Sequence, residues 1–212
     1  SIMNNLKSTI SQVIEENLIS TEWSEEVNTE VKDLNLNTKD HPRKDLTKVP
    51  FVTIDGADAK DFDDAVFCNL NDSGFLLNVA IADVAELVSE NSYLDQEAKK
   101  RETSIYFSSK DIPLLLEKIS NNLCSLVPDE IRNVLVCEIN FSLDCSIKSY
   151  KFFQAKIMSH KRMTYAEVEE YIKNNNSGVS KKIKTSLDAL NHLTKNLLVK
   201  RSQRKALEIE SN

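Results

Sequence analysis

The sequence predicts a mixed α/β (α+β) fold, in which a central β-sheet lies between residues 50 and 160 and helices lie at both ends. Between Phe51 and His160, short apolar runs alternate with turn residues, which is typical of strands. Outside that interval, apolar residues recur every three or four positions, which is typical of helices. The content of hydrophobic residues, 41%, and of charged residues, 28%, is ordinary for a soluble globular protein.

Residues 1–49 are predicted to form a helical lead-in and a linker. Apolar positions in residues 2–18 define one helical face, and Ser24 has the properties of an N-cap for a second helix that runs to about residue 34. Residues 35–50 are polar and contain Pro42 and Pro50, so we expect a loop there.

The predicted sheet begins with a strand at residues 51–55. Strands at 65–70 and 75–82 flank an Asn-Asp-Ser-Gly turn and predict a hairpin. Between this hairpin and the next strands we expect a helix at 94–101, a short strand at 104–107, and a helical or irregular segment at 119–126.

Two longer strands and two helices are predicted for the second half of the chain. The strands cover 134–143 and 147–160, and Thr164 with Glu167 forms a capping-box pattern that opens a helix to about Lys173. After a break at 174–178 comes a long amphipathic helix. Its apolar stripe consists of Ile183, Leu187, Leu190, Leu193, Leu197 and Leu198.

The charge is distributed unevenly. The whole chain carries a net charge of −6, whereas residues 148–205 hold 14 Lys/Arg against 4 Asp/Glu. This basic segment fits either a local contact with nucleic acid or a solvated helix surface. No apolar run approaches the roughly 20 residues that a membrane helix needs. The four cysteines form no CxxC pair, and we expect buried free thiols in a cytoplasmic protein without a signal peptide.

The most informative stretch is residues 52–66, which concentrates acidic side chains between apolar ones. Its aspartates are Asp55, Asp58, Asp61, Asp63 and Asp64. Apolar framing suggests that these carboxylates are held partly out of water, where two of them about 4 Å apart repel by roughly 4 kcal/mol. Protonation or a bound cation relieves that repulsion. Oxygen ligands at this density suit a hard divalent ion such as Mg²⁺ or Mn²⁺.

The spacing of four of these aspartates suggests how they converge. Asp55 ends a predicted strand, and Gly56 allows the chain to turn sharply. In extended backbone Asp61 and Asp63 point the same way, while Asp64 faces the other side unless the backbone bends. A loop of this kind is able to hold one or two Mg²⁺ ions for phosphodiester cleavage.

Other metal and phosphate motifs do not fit. An EF-hand needs a ligand where Ala57 stands, or a glycine where Val66 stands. The chain has three glycines and no Gly-Lys-Ser/Thr, which excludes a P-loop, and its three histidines are isolated. A structural acidic loop that binds no metal remains an alternative.

The sequence TIDGADAKDFDDAV at 53–66 resembles the signature of the RNB catalytic domain of the ribonuclease II/ribonuclease R family. The resemblance continues in VAIADV at 79–84, SIYF at 104–107 and SHKRMTY at 159–165. The ribonuclease R branch is the most similar, because of Asp55-Gly56 and the Asp58-Ala59 pair. The implied fold is an RNB-type central mixed sheet with flanking helices.

The resemblance implies a processive 3′→5′ exoribonuclease that hydrolyses single-stranded RNA to nucleoside 5′-monophosphates. The implied Mg²⁺ ligands, with Mn²⁺ as a substitute, are Asp55, Asp61, Asp63 and Asp64. It further implies that Tyr106 stacks on a base and that Tyr165 senses the sugar 2′-OH. Arg162 and Lys161 are candidate phosphate contacts.

A full domain of this family is considerably longer than the part that this chain resembles. We therefore interpret residues 50–212 as the N-terminal part of an RNB catalytic domain, truncated on its C-terminal side. The resemblance does not include the later part of the domain, which in this family brings the arginine and glutamate that clamp the terminal phosphate. It also does not include the OB-type RNA-binding domains of the family. We expect weak or no activity from this chain alone. The alternative is an RNA-binding or partner-binding module that keeps the motif without turnover.

Overall fold

The computed structural model describes residues 42–59, 62–82, 125–174 and 178–211. The helices predicted at 2–18, 24–34 and 94–101 and the strand predicted at 104–107 therefore lie outside the described residues, as does nearly all of the segment 119–126. None of the helices in the described ranges combines the length and the apolar character needed to cross a membrane.

One mixed sheet contains all seven strands that the described residues form, in the order β1-β6-β5-β4-β3-β2-β7. The strands are β1 (Lys44–Asp45), β2 (Val52–Asp55), β3 (Asp64–Asn71), β4 (Gly74–Ala82), β5 (Ile131–Ser142), β6 (Ile147–Met158) and β7 (Lys161–Thr164). The helices are α1 (Tyr165–Asn174) and α2 (Lys181–Glu210). The predicted mixed α/β class is confirmed.

The hairpin of β3 and β4 was predicted correctly. Asn71 pairs with Gly74 at its tip, and the side-chain oxygen of Asn71 accepts hydrogen bonds from the amides of Ser73 (2.9 Å) and Gly74 (3.1 Å). Gly74 has a φ of +144°, a conformation that side chains disfavour. The turn residues thus set the register in which β3 and β4 alternate between the two faces.

The strand predicted over 147–160 is confirmed as β6, but the separate strand that follows it was not predicted. β6 ends at Met158, and Lys161–Thr164 forms a separate strand that pairs in parallel with β2 at the other edge of the sheet. The amide of His160 donates to the carbonyl of Phe51 (2.8 Å), which draws the chain away from β5 towards β2. The loop predicted for 35–50 also needs correction, because Lys44–Asp45 pairs in parallel with β6.

The sheet is strongly curled. β6 and β7 stand five positions apart in the strand order, although only residues 159 and 160 separate them. Because neighbouring strands lie roughly 4.8 Å apart, a flat sheet would hold these two strands about 24 Å from each other. Three residue steps reach at most about 11 Å. Curling therefore brings the end of β6 close to the start of β7 and of β2.

Both helices pack on one face of the sheet, which we call the helix-side face. Thr164 Oγ1 accepts a hydrogen bond from the amide of Glu167 (3.1 Å) and caps α1 as predicted, and Ser180 Oγ caps α2 by accepting from Ile183 (3.3 Å). The predicted stripe of α2 is buried apart from Leu198, which is half-buried. The sheet residues beneath the helices include Val52, Ile54, Val66, Cys68, Phe75 and Leu77.

The other face of the sheet, which we call the far face, carries a second buried cluster. It consists of Phe51, Phe62, Ala65, Ala80, Ala82, Leu126, Val134, Val136, Ala155 and Ile157. Strand alternation explains the division, since successive residues such as Ala65 and Val66 point to opposite faces. Cys68, Cys137 and Cys145 are buried free thiols as predicted, while Cys124 lies outside the described residues.

Candidate metal and nucleic-acid site

Asp55 and Asp63 lie at the same end of the β2–β3 pair and on the same face of the sheet. The two strands run antiparallel and pair at Val52 and Val66, which both contribute to the helix-side core. Asp55 follows Val52 by three residues along β2, and Asp63 precedes Val66 by three. An odd offset reverses the face in a pleated strand, which places Asp55 on the far face. Asp63 lies just before β3, and its carbonyl bonds to the amide of Ala82, a far-face residue, which places Asp63 on the same face.

The remaining acidic residues of the cluster are placed differently. Asp64 begins β3 and shares the alternation of Val66, which places it on the helix-side face, as the spacing alone had suggested. Asp58 is exposed. Asp61 lies outside the described residues, so its predicted convergence with Asp55 and Asp63 stays a prediction.

The backbone around Asp63 is held on both sides. Phe62 is 5% exposed; its amide donates to Ser125 Oγ (3.1 Å), and its carbonyl accepts from the amide of Leu126 (2.8 Å). The carbonyl of Asp63 accepts from the amide of Ala82 (3.0 Å), which extends the β3–β4 ladder by one residue. These bonds restrict where the Asp63 carboxylate can point.

Asp55 is half-buried beside the start of α1. It pairs with Thr164 in the β2–β7 register, and Thr164 caps that helix. A helix N-terminus carries a partial positive charge, which favours a carboxylate nearby. The Oδ2 atom of Asp55 is buried, so this oxygen faces protein and not bulk water.

The candidate ligands have the chemical type that a hard divalent cation prefers. Two of them, Asp55 and Asp63, also lie at the same end of the β2–β3 pair and on the same face. All are carboxylate oxygens, the ligands that Mg²⁺ and Mn²⁺ prefer. Within the described ranges, which omit Asp61, no three or more His, Cys, Asp or Glu side chains are grouped closely enough to hold a metal ion. Asp55 and Asp63 by themselves are too few to hold such an ion, and a complete ligand set requires residues such as Asp61 or water.

The predicted RNA contacts are only partly described, because Tyr106 lies outside the described residues. Tyr165 is half-buried at the first position of α1 and packs against the helix-side core. Lys161 Nζ donates to the carbonyl of Gly178 (3.1 Å). Arg162 is exposed; it donates to the carbonyl of Ala59 (3.0 Å), and its guanidinium carbon lies 4.2 Å from the centre of the Phe62 ring.

Sequence reasoning missed two residues that support the site, Ser125 and Phe62. Phe62 had been read only as part of the apolar frame, although its ring contacts Arg162 and its backbone contacts Ser125 and Leu126. A buried aromatic residue between acidic neighbours was the available signal. No local pattern marked Ser125, because its partner is 63 positions away.

A curled mixed sheet with carboxylates at the end of a strand pair defines an α/β domain with a candidate metal site. The model of the RNB domain matches residues 43–212, and the chain belongs to the RNB domain family. The resemblance found in the sequence is thereby confirmed.

The relatives are ribonucleases R. The protein from Vibrio parahaemolyticus is 40% identical over 199 residues, which cover 91% of this chain and 24% of that protein. The protein from Escherichia coli is 50% identical over 127 residues, covering 59% of this chain and 16% of that protein. This chain thus matches at most about a quarter of the length of these two relatives.

The fold is similar to that of solved ribonuclease R structures. RNase R of Mycoplasma genitalium in complex with double-stranded RNA superposes with a TM-score of 0.63 at 34% identity, covering 96% of this chain and 36% of that one. The same enzyme in complex with ribose-methylated single-stranded RNA gives a TM-score of 0.62 at 33% identity, covering 96% and 32%.

Proposed function

We propose that residues 50–212 of this chain form the N-terminal part of an RNB exoribonuclease catalytic domain. In the complete protein, this domain hydrolyses single-stranded RNA processively from the 3′ end and releases nucleoside 5′-monophosphates. Membership of the RNB family supports the class of reaction. The observation that carries the proposal is the placement of Asp55 and Asp63 on one face at one end of the β2–β3 pair.

The proposed ligands of Mg²⁺, or of Mn²⁺ in its place, are Asp55, Asp61 and Asp63. The fourth candidate, Asp64, starts on the opposite face from Asp55 and Asp63 and joins them only if the backbone bends at the start of β3. A divalent ion supplies charge stabilisation for the attacking and leaving oxygens of phosphodiester hydrolysis. The role of the chain is to hold the carboxylates close together. The buried Oδ2 of Asp55 and the fixed backbone of Asp63 serve that role, because their geometry is set before a cation arrives.

The proposed substrate contacts are aromatic and basic. Tyr106 stacks on a base near the 3′ end, Tyr165 contacts the 2′-OH of the sugar, and Lys161 and Arg162 lie near phosphates. The solved Mycoplasma genitalium enzyme is bound to RNA in two structures, which supports RNA as the ligand class here. Buried free thiols support a cytoplasmic location, where thiols stay reduced.

We expect weak or no cleavage by this chain alone, with activity in the full-length parent protein. The chain matches at most about a quarter of the length of two relatives, and electrostatic stabilisation of the transition state, which the proposed clamp on the terminal phosphate would supply, is commonly the largest catalytic contribution. A single-turnover assay on a 5′-labelled oligoribonucleotide with Mg²⁺ tests this. Ladder products at the rate of the parent would contradict the expectation.

Metal binding is tested by titrating Mn²⁺ calorimetrically into the wild type, Asp63→Asn and Asp58→Asn. We expect uptake by the wild type and by Asp58→Asn, because Asp58 is exposed, and strongly reduced uptake by Asp63→Asn. Absence of Mn²⁺ uptake by the wild type, together with an unchanged melting temperature, would favour a structural acidic loop.

The alternative function is an RNA-binding or partner-binding module without turnover. Asp63→Asn in the full-length parent distinguishes the two. An enzyme loses cleavage and still retains RNA, whereas a binding module shows no cleavage in the wild type either. The four carboxylates within residues 55–64 of the sequence favour the enzyme, since negative charge hinders RNA binding unless a cation is present.

A further inference from the structure

Arg162 makes two contacts that lie on either side of residues 60 and 61 in the sequence. Its Nη2 donates to the carbonyl of Ala59 (3.0 Å), and its guanidinium carbon lies 4.2 Å from the centre of the Phe62 ring. The first contact holds the chain that leaves Asp55, and the second holds the residue that directly precedes Asp63. One side chain therefore fixes the acidic segment at two points.

The position of Arg162 in the sheet explains how it reaches both points. It pairs with Thr53 of β2, two residues before Asp55, in the parallel β2–β7 register. Paired residues of neighbouring strands share a face, and Thr53 lies on the far face because it alternates with Val52 and Ile54. Arg162 thus starts on the face that carries Asp55 and Asp63, and its side chain links β7 to the residue before β3.

The chemistry of the guanidinium suits this double contact. Its planar group can lie over an aromatic ring and at the same time donate hydrogen bonds in its own plane. A lysine ammonium at this position lacks both the plane and the fork of donors. Phe62 is a good partner because its own backbone is tied to Ser125 and Leu126.

We infer that Arg162 is a positioning residue, which holds the Phe62–Asp63 segment so that the Asp63 carboxylate meets a divalent cation together with Asp55. This inference rests on the proposed metal site and goes beyond it, because it gives Arg162 a role through Phe62 and Ala59. Its exposure also permits the direct phosphate contact proposed above. The two roles differ in what they do to metal affinity in the absence of RNA.

The test compares five proteins by Mn²⁺ calorimetry without RNA and by thermal melting. They are the wild type, Arg162→Gln, Arg162→Lys, Phe62→Leu and Arg204→Gln. Arg204→Gln is the matched control, because it removes the same charge from an exposed position of α2. Phe62→Leu keeps an apolar side chain and removes the ring, so it probes the stacking contact independently of charge.

We expect Arg162→Gln to raise the dissociation constant for Mn²⁺ by about 10- to 100-fold, the usual effect of removing a group that orients metal ligands. Arg162→Lys and Phe62→Leu should give smaller increases, and Arg204→Gln should match the wild type. Wild-type Mn²⁺ affinity in Arg162→Gln would overturn the inference, whether or not its melting temperature falls. It would favour the phosphate role if RNA binding fell at the same time.

The failure of the proposed function has a different signature. If the wild type takes up no Mn²⁺, the metal site itself is refuted, and the positioning role of Arg162 is refuted as well because it depends on that site. If the wild type binds Mn²⁺ and Asp63→Asn does not, the site stands, and the Arg162 variants then decide the inference on their own.

Discussion

The backbone amide of Cys68 donates a hydrogen bond to Ser186 Oγ, 3.0 Å away, and both residues are buried. Cys68 lies in β3 and Ser186 in the first half of α2, so this bond links the sheet to the helix that covers it. β2 begins at Val52, and the register at Val52 and Val66 would place a proline, Pro50, beside Cys68. Ser186 of α2 therefore supplies the hydrogen-bond acceptor for Cys68 at a position that lies beyond the end of β2.

Ser186→Ala should lower the free energy of unfolding by about 1–3 kcal/mol, because it leaves the buried amide of Cys68 without its acceptor. Urea denaturation measures the change. Thr185→Ala is the control, since Thr185 is exposed and its hydroxyl donates to the carbonyl of Lys181 within the same helix; it should change stability by less than about 0.5 kcal/mol. Equal effects of the two substitutions would contradict the role of Ser186.

Gly74→Ala should destabilise the protein by more than about 1 kcal/mol, because Gly74 has a φ of +144° and a methyl group there would overlap the carbonyl of Phe141. Gly178→Ala is the matched control, since an added methyl group meets nothing within 4 Å at that position. Thermal unfolding of both variants against the wild type decides the comparison. A Gly74→Ala protein as stable as Gly178→Ala would show that the β3–β4 turn tolerates a side chain.

Stability should fall between about pH 9 and pH 12 because of two buried thiols. Burial raises the pKa of Cys68 and of Cys137 from 9.0 to about 12. Above pH 9 the unfolded chain loses these protons while the folded chain keeps them, so each thiol lowers the free energy of unfolding by about 1.4 kcal/mol per pH unit until the folded thiol also ionises.

The measurement for the thiols is urea denaturation at several pH values between 8 and 11. The double variant Cys68→Ala/Cys137→Ala should show a shallower decline than the wild type, whatever its stability at pH 8. Because the two proteins share all their lysines and tyrosines, the difference in slope reports the thiols. Parallel curves would refute the prediction.

Tyr165→Phe should weaken the preference of the full-length parent protein for a ribose over a 2′-deoxyribose at the 3′ end of the substrate. Loss of one hydrogen bond of about 0.5–1.5 kcal/mol corresponds to a fall of about twofold to tenfold in the ratio of the two cleavage rates. Tyr150→Phe serves as the control, because Tyr150 lies in β6 with its ring against Phe152. An unchanged ratio in Tyr165→Phe would remove it from the proposed substrate contacts.

Local patterns predicted much of the fold. The turn before Gly74 and the alternation on both sides of it predicted the β3–β4 hairpin, and the spacing of Thr164 and Glu167 predicted the cap of α1. These features depend on residues within a few positions of one another, and alternation and caps are properties of that range.

Pairings between distant residues were not predictable in this way. The parallel pairing of β7 with β2 joins Arg162 to Thr53, and that of β1 with β6 joins Lys44 to Ala155. Short strands such as these have too few residues to show alternation, and their pairing depends on how the rest of the sheet curls. For the same reason the short strand β7, which forms at the other edge of the sheet after β6, was not expected.

For the candidate site, the sequence by itself determined that several carboxylates lie close together in the chain between apolar residues. It also predicted that Asp64 faces the side of the strand opposite to Asp63. Both features follow from neighbouring residues. Only the tertiary structure decided that Asp55 and Asp63 share the far face and that Arg162 reaches Phe62. Faces and long-range contacts are set by which strands pair and by which apolar surfaces are buried against each other. That choice is made by the whole folded chain, because no segment of it can remove its apolar face from water alone.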